Sequence, residues 1–544
     1  MKAPAASIAL VVPSGVALLV ISLSTYEALR DSADAYYDRY RFGHVFANVK
    51  RASLHLEQRI KALDGVQTVA LRVSKQAVLD IEAFPEPLMG RLVSIPEGRQ
   101  PLLNQLVLRR GRLVEPGRSD EVVINESFAK EHGLKPGDTL AAIIDDSKAV
   151  LCIVGIVMSP EFIYVIKPFA LIPDKKRFGI LWMGRKALEA ADDYAGAFNE
   201  LSLTVSLGID TRRIVQALDT MLAPYGAVGA IDRKDHLSAW FVENELQQNQ
   251  TSAQILPTIF LLVAAFLTST VLARLIATER GEIGLMKAFG YSNVQVGWHY
   301  LKLVLAITAL GILLWWGLGA MLGRLSTENY IQTLNFPLLI YQPGPGSFLI
   351  GAVASITVAM LATARAVRGA AQMPPIVAMN PPAPPSYQLG TLVPGRVADG
   401  LDESTRIVFR QIRRWPGRAL ITVLGFAGAL AMMVLSLLFY DAIDEIAQAH
   451  FDEVQREDVA LGFGNPQATT VLHEIERLPG VLLAEPMRIV PADLSVGHRR
   501  HRGTLHGLPE DASLARIYDS YIGMLAFLSL DELNVLLGDR PVTE

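Results

Sequence analysis

Residues Ile255–Ala273 read ILPTIFLLVAAFLTSTVLA, and Arg274–Ser292, which follow directly, read RLIATERGEIGLMKAFGYS. The first stretch lacks any charged residue and approaches the ~20 apolar residues an α-helix needs to cross ~30 Å of hydrocarbon. The second turns abruptly to Glu279, Arg280, Glu282 and Lys287. A membrane span followed by a short water-facing segment is the reading that decides the fold. Working outward, four more stretches are long, apolar and uncharged: Ala3–Tyr26, Leu303–Gly323, Phe348–Ala364 and Ala419–Tyr440. Pro13 and Pro257 are tolerable within such spans when neighbouring helices cover the freed backbone groups. The first stretch has only Lys2 before it and no cleavage site after it, so it is expected to stay as an anchor.

The whole composition agrees. The mean hydropathy of the 544 residues is +0.30, above what soluble chains ordinarily show. A net charge of −4 argues against nucleic acid as a partner. Cys152 is the single cysteine, which excludes an intrachain disulfide and a Cys-rich metal site. It lies in Val150–Val157 (VLCIVGIV), read as a strand that buries a small side chain.

Lys and Arg orient the chain. They recur between the second and third spans (Arg274, Arg280, Lys287, Lys302) and between the fourth and fifth (Arg365 to Arg418), whereas Leu325–Gly346 has none. The positive-inside rule puts the N-terminus and both basic segments in the cytoplasm. The expected order is a span at 1–26, an outer domain at 27–250, a span at 251–278 and a cytoplasmic helix at 279–299. Spans at 300–323 and 347–367 follow, joined by an outer loop at 324–346. A cytoplasmic linker occupies 368–418, a fifth span 419–440, and a partial second outer domain 441–544.

The outer domain reads as mixed α/β. Val45–Val49 and Val66–Val73 flank a helical pattern over Leu54–Leu63. Leu201–Leu207 precedes a helix opened by Asp210 as N-cap, then Ala227–Ile231. Between these units, about residues 104–180, short apolar runs alternate with turns such as Lys135-Pro-Gly-Asp138, which predicts a β-rich insert. Tyr36, Tyr37, Tyr40 and Trp240 have spacings that suit packing between two stalk helices leading into the membrane.

The chain also repeats itself. Ser22-Leu23 and Tyr26 recur as Ser436-Leu437 and Tyr440; Ile60, Leu63, Gly65 and Val66 recur as Ile475, Leu478, Gly480 and Val481. Leu92 and Pro96-Glu97 recur as Leu505 and Pro509-Glu510; Trp182-Met183 and Leu188 then align with Phe527-Leu528 and Leu533 at a shorter offset. The second copy thus lacks the β-rich insert, and no further spans follow it.

Residues Glu279–Ser292 carry the most specific pattern. Charges at 279, 280, 282 and 287 alternate with Ile283, Leu285, Met286 and Phe289, predicting a short amphipathic helix that Gly290 ends as a left-handed cap. Its mixed charge suits a protein partner better than lipid headgroups. Here the sequence resembles the coupling helix of the FtsX/MacB-like ABC transporter permeases, through Glu279-Arg280-Gly-Glu282-Ile283-Gly284 followed by Lys287-Ala288-Phe-Gly290. The tail after the fourth span, Ala364-Arg365 through Pro381, is similar to the same family's, and the resemblance covers about residues 1–380.

That resemblance implies a bacterial inner-membrane permease subunit, not an enzyme, that works with a separate cytoplasmic ABC ATPase. ATP would be bound by that partner, and the chain would need no cofactor. Glu279, Arg280, Glu282, Ile283, Gly284, Lys287, Ala288 and Gly290 would be the docking residues. A periplasmic adaptor, membrane lipid, and a dimer or second permease half are further implied partners. The sequence departs from double-length members in lacking a second coupling helix and the last spans. Regulation of an envelope enzyme through the outer domain, or a truncated non-transporting fragment, are the alternative readings. The basic helix Thr405–Arg418 suits a membrane interface. No G-x-x-x-x-G-K-[ST], H-E-x-x-H or G-x-S-x-G occurs, and no span carries a central charge of the kind ion-coupled carriers use. His498, His501 and His506 have no acidic or Cys ligands beside them and read as a solvated loop.

Overall fold

A computed structural model describes residues 2–81, 84–144, 147–166, 174–191, 194–338, 340–342, 344–372, 374, 376, 379, 402–448, 454, 456–463, 467–496, 499–515 and 526–529. Most of the linker at 368–418, Leu533 and His498 lie outside them. The chain divides into two units, Met1–Ala429 and Leu430–Glu544.

The first unit opens with α1 (Lys2–Arg39), β1 (Val45–Ser53), α2 (Leu56–Lys61) and β2 (Val66–Arg72). Then come β3 (Ser74–Ile81), β4 (Phe84–Ile95), β5 (Val107–Gly111), β6 (Glu121–Asn125) and α3 (Glu126–Glu131). They are followed by β7 (Thr139–Ile144), β8 (Ser147–Met158), β9 (Phe178–Gly184) and α4 (Arg185–Ala191). The outer domain closes with β10 (Ala197–Val205), α5 (Thr211–Leu222) and β11 (Gly229–Asp232). Three further helices are α6 (Leu237–Thr278), α7 (Arg280–Ala288) and α8 (Asn293–Leu334); α9 (Pro345–Ala371) ends the series.

Among the described residues, Leu237–Thr278, Asn293–Tyr330 and Pro345–Gly369 are long and apolar enough to cross a membrane. The helix Pro416–Gln448 carries a shorter apolar stretch, Thr422–Leu438. α1 packs along α6, α8 and α9. At 38 residues it is about 57 Å long, well beyond the thickness of a bilayer's hydrocarbon layer. Its C-terminal part packs as a stalk. Tyr36 is buried edge-on to Tyr40 and Phe336, beside Val242 and Leu246 of α6, and Tyr37 stacks on Phe42. Trp240 does not join it. It is exposed because two residues of helix turn it about 200° away from Val242.

Two sheets build the outer domain. An antiparallel sheet in the order β11-β1-β10-β2 is covered by α2 and α5, which bury Ile60, Ile214, Leu218 and Leu222 against Val45, Leu201 and Leu203. The Asp210 side chain caps α5 by accepting from Arg212 N at 3.1 Å. The second sheet runs β5-β8-β6-β9-β4-β3-β7, and β7 also pairs with β8, so the strands from β8 round to β7 close on themselves. β6 and β9 are buried throughout, as central strands covered on both faces should be. Along β9, Leu181 and Met183 point into one core while Phe178, Ile180 and Trp182 point into another.

The insert is larger than the sequence suggests. It starts at Ser74 rather than near residue 104, because β3 and β4 pair with each other and not with β2. Pro85 and Pro87 disguise β4, since proline is a poor ladder residue; regular pairing with β3 covers Leu88–Val93, and both prolines fall before it. Cys152, expected to be buried, is only half-buried on β8 opposite Glu121 and Thr139.

The second unit contains the helix Thr470–Glu476 and strands β12 (Arg488–Val496), β13 (Arg499–Leu508) and β14 (Ala526–Ser529). β13 is antiparallel to β12 and parallel to β14, with Leu505 opposite Val490 and Ala526. In the first unit β4 is antiparallel to β3 and parallel to β9, with Leu92 opposite Lys75 and Leu181. Gly65 and Gly480 both have positive φ, 88° and 94°, one turn after a short helix. His506 lies on β13 and is half-buried.

Candidate functional site

The charged segment after α6 forms a tight elbow. Glu279 is the only residue between α6 and α7, and both helices use its backbone: its N–H donates to Leu275 O at 3.0 Å and its carbonyl accepts from Ile283 N at 3.1 Å. Its carboxylate Oε2 accepts from the Tyr300 hydroxyl of α8 at 3.0 Å, which clasps the end of α6 to the start of α8.

α7 ends in a Schellman turn. Gly290 N donates to Lys287 O at 3.0 Å and Tyr291 N to Met286 O at 3.2 Å, with Gly290 at φ 92°. A residue with a Cβ is strained at that φ, and glycine is not. α8 then starts with a capping box, in which Ser292 N donates to Gln295 Oε1 at 2.8 Å and Gln295 N returns to Ser292 Oγ at 3.3 Å. Every turn of the elbow is thereby fixed by local hydrogen bonds.

α7 packs by one side only. Ile283 is fully buried with Leu272, Ile276, Val296, Tyr300, Val304 and Ala359, and Gly284 is buried beside it. Leu285 and Phe289, one turn apart, face outward with Tyr291 and Val294; Phe289 is 76% exposed and Val294 78%. The sequence pattern counted Ile283 with Leu285 and Phe289 on one apolar face. The structure divides them, with Ile283 inward as an anchor and the other two outward.

The expected site residues separate in the same way. Glu282, Ala288 and Gly290 are exposed; Glu279, Arg280 and Lys287 are half-buried; Ile283 and Gly284 are enclosed. Tyr300, whose hydroxyl holds Glu279, was not legible, because a tyrosine at the start of a span reads equally as a membrane-interface residue. Trp298, with Lys302 Nζ 5.6 Å from its ring centroid, fits that interfacial description. Among the described residues no group of three His, Cys, Asp or Glu side chains could hold a metal ion.

The elbow joins two of the long apolar helices and leaves Leu285, Phe289, Tyr291 and Val294 exposed. Residues 255–375, from α6 to just beyond α9, match the family model described as FtsX-like permease C-terminal. Over this segment the chain is similar to the FtsX-like permease C-terminal domain, and its long apolar helices are those of a membrane protein. Solved structures similar to it include the extracellular domain of the noncanonic ABC-type transporter YknZ from Gram-positive bacteria. That match has 11% identity over 35% of this chain and 99% of that one, with a TM-score of 0.25. The periplasmic region of MacB from Actinobacillus actinomycetemcomitans is similar at 12% identity over 38% of this chain and 95% of that one, with a TM-score of 0.23. No curated protein matches the chain.

Proposed function

We propose that the protein is the membrane subunit of an ABC-type exporter or mechanotransmission complex in the bacterial inner membrane, and that a separate cytoplasmic ATPase docks on the α6–α7–α8 elbow. The observation that carries this reading is the division of α7 within the matched permease segment. Ile283 and Gly284 lock the helix to the spans, and Leu285 and Phe289 offer an apolar pair ringed by Glu282 and Lys287. A hydrophobic centre with a polar rim is the usual anatomy of a protein–protein contact. On this reading α1 and the helix Pro416–Gln448 are further spans and the N-terminus is cytoplasmic. ATP is bound by the partner, which supplies the phosphate-binding loop this chain does not contain.

The second unit is proposed to be a partial copy of the outer domain. Leu92 and Leu181 face each other across β4 and β9, and the residues 413 and 345 positions later, Leu505 and Ala526, face each other across β13 and β14. A chance repeat would not preserve strand register, because a one-residue slip turns every side chain to the other face.

The test is capture from native membranes. The solubilised wild-type chain is expected to bring down a protein that hydrolyses ATP, and Phe289→Ala with Leu285→Ala to reduce its yield at least tenfold, as loss of a central anchor does. Recovery of no such protein with wild type, or unchanged recovery with the double variant, would sink the docking assignment.

A further inference from the structure

The outer domain contains a buried charged cluster that the docking reading does not use. Arg72, at the end of β2, forms an ion pair with Glu161, in the turn Pro160–Phe162 that follows β8. Its Nε also lies 3.1 Å from Glu200 Oε2 of β10. Arg91 Nη2 of β4 donates to Glu200 Oε1 at 2.6 Å. Asn104 Nδ2 donates to the second oxygen of Glu161 at 3.0 Å. Arg72, Glu161, Glu200 and Asn104 are all buried, Glu161 to 2% exposure. The two arginines and two glutamates balance in charge.

This cluster sits where four parts of the molecule meet. Arg72 and Glu200 belong to the antiparallel sheet, and Glu161 and Arg91 to the inserted β unit. Asn104 reaches the end of α1. Its Oδ1 accepts from Gly43 N at 2.9 Å and its own N–H donates to Arg41 O at 2.9 Å, while Gln105 N donates to Tyr40 O at 2.8 Å. Asn104 holds a left-handed φ of 54°, tolerable for Asn and costly for most residues. Three residues beyond Glu161, Tyr164 is tied to the start of α6. Its N–H donates to Ser238 Oγ at 3.2 Å, Ser238 Oγ donates to its carbonyl at 3.1 Å, and its ring stacks on Phe241. His236, which precedes α6, buries its Nδ1 with no hydrogen-bond partner among the described residues and packs on Phe42 and Phe46.

Buried ion pairs add little net stability over apolar packing, but losing one partner leaves a stranded charge. What such a cluster supplies is geometry. We propose that Glu161 and Arg72 are positioning residues of a coupling joint, through which movement of the α1 and α6 stalks turns the inserted β unit as a rigid body against the antiparallel sheet. This rests on the permease reading, since it needs a driven movement of the stalks. The chain enters the inserted unit at Val73 and leaves it at Gly184. Beside these points Ser74 exchanges two hydrogen bonds with Asn199 of β10, while Arg185 donates to Leu71 O and Ala197 O. Only the Asn104 loop and the segment from Ser159 to Tyr164 carry the bonds to both stalks described above.

The test uses the full chain with its captured ATPase in lipid nanodiscs. On a Cys152→Ser background, spin labels at Leu207→Cys, in the turn just after β10 of the antiparallel sheet, and Val150→Cys in the β unit occupy exposed sites. Wild type is expected to change its label–label distance between the nucleotide-free state and MgATP with vanadate. Glu161→Gln is expected to bind the ATPase normally, keep its fold by circular dichroism, and lose the change; Glu161→Asp should restore part of it. Should Glu161→Gln fail to fold, Ser238→Ala, which strands no buried charge, is expected to reduce the change. A full change in Glu161→Gln, or in Ser238→Ala where that variant stands in, overturns the proposal. So does an unchanged distance in wild type with ATPase bound, and in that case the permease reading survives. If no ATPase is captured, the permease reading fails and the joint fails with it.

Discussion

Glu121 is an instance of how single residues in the outer domain are tuned. Arg112 donates to both its oxygens, at 2.8 and 2.7 Å, and Glu115 N adds a third bond at 3.0 Å. These partners, Arg112 foremost, hold its pKa down to about 2 from an ordinary 4.5. A depressed carboxylate stabilises fully above its unfolded value and ceases to as pH falls through its folded one. His236 also works against acid: burial holds its pKa down to about 4 from 6.5, so the unfolded chain gains its proton first. Urea midpoints of the detergent-solubilised protein are therefore expected to fall as pH drops from 6.5 to 4, and again from 4.5 toward 2. Glu121→Gln should flatten the lower window and leave the upper one; a full fall below pH 4.5 in that variant would contradict the assignment. None of this pairing was legible in the sequence, since Glu121 and Glu161 look like any surface acid until the strands bring arginines to them. The elbow shows the opposite case. Gly290 closes a turn whose hydrogen bonds span three to five residues, so that cap was readable, whereas the division of Ile283 from Phe289 needed the bundle.

At the scale of elements, α1 and α8 touch through small residues. Gly319 and Gly323 lie one turn apart on α8, against Ala17, Val20 and Ser24 of α1. Such spacing lets two membrane helices approach at their backbones. A Cβ at Gly323 would come within 2.6 Å of Ser24 Oγ and 2.7 Å of the Tyr341 hydroxyl, whereas at Gly319 the nearest atom is Val20 Cγ1 at 3.3 Å. Gly323→Ala is thus expected to destabilise by about 1–3 kcal/mol and Gly319→Ala by less, as judged by thermal denaturation in detergent. Equal effects would mean that the helices adjust freely there. The long apolar helices were plain in the sequence because composition alone marks them. The start of the β insert was not, because its second strand opens with prolines that argue against a strand. Trp240 reads as part of the stalk contact by its spacing, and its direction on α6 decides otherwise.

For the whole molecule, the single cysteine makes topology measurable. On the Cys152→Ser background, Phe289→Cys is expected to react with an impermeant maleimide only after the inner membrane is opened. Leu207→Cys should react once the outer permeability barrier is removed. The reverse pattern would invert the proposed orientation. The proposed internal repeat came from offsets between matched residues, which need no knowledge of fold. What the offsets could not give is the pairing of Leu505 with Ala526, which depends on strands distant in sequence.

The parallel pairing of β4 with β9 has an evolutionary consequence. Neighbouring parallel strands must be joined by a crossover, and here the crossover is everything from Ile95 to Phe178, including β5 to β8. In β13 and β14 the same kind of pair is joined by the far shorter run from Leu508 to Ala526. Strands β5 to β8 can accordingly be lengthened, shortened or exchanged between lineages while β4 keeps both its partners, β3 and β9. The run between β4 and β9 is thus the part of this domain most free to diversify, because the β4 pairings that flank it do not depend on its length.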